Sequence, residues 1–185
     1  MNRMTLINVH MLLAAFMFPV ALMFLITGGL YTWGIKGGYE TLTVPVSLAQ
    51  PLTSDAQALR ALAAAELERL GIEEPTGGAG VKAGGTSFKL EWTGANRDVV
   101  LEPTNDPLVA QLSVKDTSWY RQFVQLHKAK GGQVFKVYAA AMAVALFTIL
   151  ASGFLLALQV PRLRRVAITT ALSGLVLFAL VVLAS

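Results

Sequence analysis

Three uninterrupted apolar stretches, Met11–Trp33, Val134–Val160 and Val166–Ala184, dominate the pattern along the chain. An α-helix rises about 1.5 Å per residue, so roughly 20 residues cover a hydrocarbon core of about 30 Å, and each stretch reaches or approaches that length. The pattern therefore predicts three transmembrane helices. Lys136 is the one charge within them. It sits at the mouth of the second span, where a long stem carries the ammonium back to the headgroups.

Between the first and second spans the periodicity changes. Gly34-Ile35-Lys36-Gly37-Gly38 breaks the first helix, and Tyr39–Leu48 reads as extended, with Pro45 excluding a central strand. Ser54 or Asp55 caps a helix running to Leu70, with Leu59, Leu62, Leu67 and Leu70 on its apolar face and Gly71 as its stop. Glu73–Gly85, rich in Gly and Pro, reads as a loop. It lacks the strand-to-helix turn and Lys-Ser/Thr pair of a phosphate cradle.

Ser87–Trp92, Asp98–Glu102 and Val109–Val114 then read as a three-strand antiparallel meander. Phe88, Leu90 and Trp92 alternate with Lys89 and Glu91, so one face packs under the helix while the other meets water. Ser118 starts a second amphipathic helix carrying Trp119, Phe123 and Leu126 on one side and Arg121, Lys128 and Lys130 on the other. Trp119 and Tyr120 suit the headgroup level before Gly131-Gly132 turns the chain into the second span. The expected fold is a membrane α-helical protein of three spans with a small α+β domain. Its divisions are residues 1–34, 35–117, 118–133 and 134–185.

Composition agrees with a membrane protein: 55% of residues are hydrophobic, and the formal net charge of +4 reflects topology rather than a nucleic-acid stripe. The short basic run Pro161-Arg162-Leu163-Arg164-Arg165 is expected to stay cytoplasmic. Alternation then places Met1 and Arg3 inside and both Gly34–Gln133 and Ser185 outside, which in a bacterial inner membrane is the periplasm. Ser47-Leu48-Ala49 has the form of a signal-peptidase site. It lies too far beyond an apolar run too long for a signal h-region, so the first span is read as retained. Cysteine is absent, which removes disulfides, thiolate ligands and a cysteine nucleophile together.

The order of parts resembles the PepSY-associated transmembrane family. The likeness rests on a first span that begins with His10 and ends Thr27-Gly28-Gly29-Leu30-Tyr31-Thr32-Trp33, a helix-plus-meander domain over Ser54–Val114, and Trp119-Tyr120 followed by Leu126-His127 before another span. The resemblance implies a PepSY-like exported domain. Through larger relatives that are membrane ferric-siderophore reductases, it also implies b-type haem held by histidines at span ends. This chain has fewer spans than those enzymes, and its only histidines are His10 and His127.

With those histidines at opposite ends of the spans, about 30 Å of hydrocarbon separates them, whereas two nitrogens on one iron lie about 4 Å apart. They therefore cannot share one haem within a protomer, though each can pair with a copy of itself or with another subunit's histidine. The alternative is an interfacial polar role for His10 and a rim position for His127. Met17 and Met23 read as apolar filling rather than axial ligands.

No carboxylate pair or nucleophile–base set stands out. Small residues line two spans: Ala141, Ala145, Thr148 and Ser152 in the second, and Thr170, Ser173 and Gly174 in the third. Such faces allow close helix approach, either within the chain or to other subunits. The expected function is a non-catalytic inner-membrane accessory or assembly subunit without a cofactor, docked on a larger membrane complex or on a second copy. The alternatives are a b-haem electron-transfer subunit or a regulator of periplasmic peptidases.

Overall fold

A computed structural model describes residues 3–84 and 87–185. In chain order the elements are α1 (Arg3–Thr32), β1 (Tyr39–Ser47), α2 (Ala56–Arg69), β2 (Ala79–Gly84), β3 (Ser87–Thr93), β4 (Arg97–Pro103), β5 (Val109–Thr117), α3 (Trp119–His127), α4 (Gly132–Leu158) and α5 (Pro161–Ala184). The helices α1, α4 and α5 are long and apolar enough to cross a membrane. The chain divides into two compact units, residues 1–22 with 140–185, and residues 23–139.

In the first unit, the buried positions are Leu6 on α1 and Met142, Ala145 and Ser152 on α4. Along its 24 residues α5 buries none. The basic run expected as a loop is instead the first turns of α5, with Pro161 at its start and Gln159-Val160 as the connection. Proline suits this position because the first helical N–H has no intrahelical partner in any case. The cost is three arginines near the positive end of a helix dipole, and all three are exposed to water or headgroups.

The second unit holds a five-stranded antiparallel sheet in the order β1-β5-β4-β3-β2. The expected meander forms its β3-β4-β5 part, and two further strands flank it. Pro45 sits on β1, an edge strand, where a missing N–H breaks no ladder bond. The strand β2 lies inside the segment read as a loop, of which Gly85 falls outside the described residues. Its sequence, Ala-Gly-Val-Lys-Ala-Gly, hides strand character because only Val81 has β propensity, yet its register places Val81 opposite Leu90 and Ala79 opposite Trp92.

One sheet face carries Leu90, Trp92, Val99, Leu101, Leu112, Val114 and Val46, and α2 closes it with Leu59, Ala63 and Leu67. The α2 ends follow the sequence signals. Asp55 accepts from the Gln57 N–H at 2.9 Å, and Gly71 with φ +68° stops the helix. Trp92 lies at the centre, its indole N–H bonded to the Gly77 carbonyl at 3.1 Å and its ring covered by the Arg60 guanidinium at 4.8 Å.

Leu67 is fully buried under this sheet, so Leu67→Ala is expected to cost about 2–5 kcal/mol. Thermal unfolding of the full chain in detergent, followed by Trp92 fluorescence, measures the loss.

Candidate functional site

Three polar groupings carry the chemistry of the described residues. In the first unit, His10 Nδ1 lies 3.0 Å from Ser152 Oγ, and the Ser152 hydroxyl also reaches the Ile149 carbonyl at 3.0 Å. A hydroxyl has one proton. When it goes to the carbonyl, the oxygen is left as acceptor for a proton on Nδ1. The ring rests on Gly153, where a methyl group would meet His10 Cε1 at 3.2 Å.

In the second unit the same arrangement recurs. His127 Nδ1 lies 2.8 Å from Thr27 Oγ1, whose proton goes to the Met23 carbonyl at 2.6 Å. A methyl group on Gly28 would meet His127 Cε1 at 3.1 Å and Nε2 at 3.8 Å, and the Phe24 ring tilts over the imidazole with centroids 4.9 Å apart. Each histidine thus faces a hydroxyl-glycine pair on another helix, Ser152-Gly153 or Thr27-Gly28. Neither Nε2 has a hydrogen-bond partner among the described residues.

The third grouping is a buried polar cluster joining α3 to the sheet. Asp98, 9% exposed, accepts from Tyr39 Oη at 2.8 Å, Gln125 Nε2 at 2.7 Å, Lys130 Nζ at 3.2 Å and the Gly94 N–H at 3.2 Å. The Tyr39 hydroxyl in turn accepts from Arg121 at 2.8 Å and from Gln125 at 3.1 Å, while the Arg121 guanidinium lies over the Tyr39 ring at 4.5 Å. Burial, then the hydrogen bond to Asp98, pushes the Tyr39 pKa above its usual 10.0 despite the opposing pull of Arg121. Among the described residues, Gln125 Oε1 and Arg121 Nε are buried without hydrogen-bond partners. Asp98, Tyr39 and Gln125 were not singled out by sequence reasoning. An acid beside Val99 on an alternating strand carries no signal of its being covered.

Of the small-residue positions, Ala145 and Ser152 are buried within the chain, Thr148 is half-buried and Ala141 is exposed. Thr170, Ser173 and Gly174 on α5 are all exposed. Met17 and Met23 are half-buried on α1, and the Met23 sulfur lies 3.9 Å from the Thr27 hydroxyl. Among the described residues, no group of three or more His, Asp or Glu side chains is placed to hold a metal ion. Comparison with protein-family models, curated proteins and solved structures finds no match to this chain.

Two outcomes follow. Thr27→Val and Ser152→Ala each remove the acceptor for a ring N–H. Each should cost about 0.6–1.7 kcal/mol in reversible unfolding from detergent micelles, with Thr170→Val as the neutral control. Tyr39→Phe removes the acceptor of an Arg121 N–H and a donor to Asp98 and should cost about 1–3 kcal/mol. Because native Tyr39 holds its proton above pH 10.0, its stabilisation is complete below that pH and is lost as pH rises through the higher native value. The Phe variant lacks this alkaline loss in a pH series of melting temperatures.

Proposed function

We propose that the chain is a non-catalytic accessory or assembly subunit of a bacterial inner-membrane complex, with the sheet domain as a PepSY-like exported module. The observation that carries this reading is α5. It is one of three helices apolar enough to span a bilayer among the described residues, yet none of its own residues is buried, and Thr170, Ser173 and Gly174 lie open on it. On α4 the corresponding small residues Ala145 and Ser152 are already used inside the chain, which leaves α5 as the face for another membrane subunit or a second copy.

A second reading, a b-haem electron-transfer subunit, has one observation in its favour. An Nδ1–H fixed by a second-shell acceptor and an unpartnered Nε2 is how ligating histidines are oriented. Each histidine could supply one nitrogen ligand to a haem, which would bring one-electron chemistry. Fit is better at His10. Its Nε2 lies beyond 4 Å of the methyl position on Gly153, whereas His127 Nε2 lies 3.8 Å from that on Gly28.

The two readings separate cleanly. A photo-crosslinking residue at Ser173 or Gly174 in cells should yield a defined adduct with another membrane polypeptide, and one at Ala95 in the sheet domain should not. Purified chain with a Soret band lost in His10→Ala or His127→Ala would favour the second reading instead.

A further inference from the structure

We propose that the end of α1 in the second unit forms a binding site for the headgroup of an anionic phospholipid. Two ammonium groups converge on one aromatic ring: Lys36 Nζ lies 5.2 Å and Lys128 Nζ 5.8 Å from the centroid of Tyr31. These distances hold the two charges within 11.0 Å of each other. Neither lysine pairs with a carboxylate among the described residues, although six other ion pairs form there.

Arg121 adds a third positive group. It binds the Lys36 carbonyl at 3.1 Å and the Tyr39 hydroxyl that donates to Asp98, and it forms no ion pair with an acid among the described residues. Its bond to Lys36 fixes the connection after α1, where Gly37, φ +71°, passes so close to α3 that a methyl group would meet the Arg121 backbone nitrogen at 2.8 Å.

Charge decides what such a site takes. The carbonyl end of α1 offers about half a negative charge, which cannot neutralise two ammoniums and a guanidinium. The surplus sits just past the last turn of a helix apolar enough to span a membrane, beside Trp33 at 86% exposure, and α3 opens on Trp119 at 76%. Exposed tryptophans at a span end seek the headgroup layer. A cationic, aromatic-walled site at that depth meets phosphodiesters before any other anion. A zwitterionic lipid brings its own ammonium and cancels the attraction; a phosphatidylglycerol brings a net negative charge. The π face of Tyr31 holds both lysine stems toward this layer, since each ammonium is attracted to the ring quadrupole.

The test uses the full chain in nanodiscs of phosphatidylcholine doped with phosphatidylglycerol, with one or the other lipid brominated. Trp33 and Trp119 report, because Trp92 is buried in the sheet domain. Both nanodisc faces carry the same lipids, so the readout is independent of which way the chain is oriented. Wild type should show tryptophan quenching that favours brominated phosphatidylglycerol, with local enrichment of about fivefold per lysine. Lys36→Ala/Lys128→Ala should bring the preference to one, and Lys36→Arg/Lys128→Arg should keep it. Equal quenching by the two lipids in wild type overturns the proposal without recourse to any variant, and so does a preference that survives the double alanine change.

Discussion

An imidazole packed against a neighbouring helix meets a hydroxyl there, and that contact ties α1 to α4 in one unit and to α3 in the other. The arrangement is the same in both units: a hydroxyl that has given its proton to its own helix, followed by a glycine that offers the ring a flat backbone. In lipid no hydrophobic expulsion drives helices together, so close approach and the hydrogen bonds it permits supply the attraction. The two contacts join residues 142 and 100 positions apart in sequence.

The sheet domain uses water-excluded polarity differently. Its core is apolar and closed by α2, but the attachment of α3 depends on Asp98, a carboxylate with donors from four residues. Charge-assisted bonds of this kind are stronger than neutral ones and fix orientation as well as position. Gln125 stands in the last turn of α3 and Lys130 in the connection to Gly132, where α4 starts, so the lead into that helix is tied to the sheet rather than left as a free tether. Without cysteine, and with a small core, the domain needs such ties.

Legibility in the sequence followed the strength of the local signal. Long apolar runs, the Asp55 cap with Gly71, the Ser118 cap and the alternation of Phe88, Leu90 and Trp92 each have one physical reading, and each corresponds to an observed element. The strand β2 was missed because small residues suit an edge strand without advertising it. The start of α5 was missed because arginines and proline read as loop, although proline is at home in a first turn. The histidines were legible as candidates. Their partners were not, since Thr27-Gly28 and Ser152-Gly153 resemble any small-residue step until tertiary contact pairs each with a histidine.

That pairing also bears on what the histidines are for. A hydrogen bond at Nδ1 serves a structural ring and a ligand equally well, because both need a fixed tautomer. The other edge of the ring separates the roles. At His127 the Cε1–Nε2 edge lies along Gly28 and the Phe24 ring covers one side, an environment filled by protein. At His10 only Cε1 and Nδ1 approach Gly153, and Nε2 points elsewhere. Two rings with the same anchoring are therefore unequal in what they leave free: the Nε2 edge of His127 is held close to the Gly28 backbone, and that of His10 stands farther from Gly153.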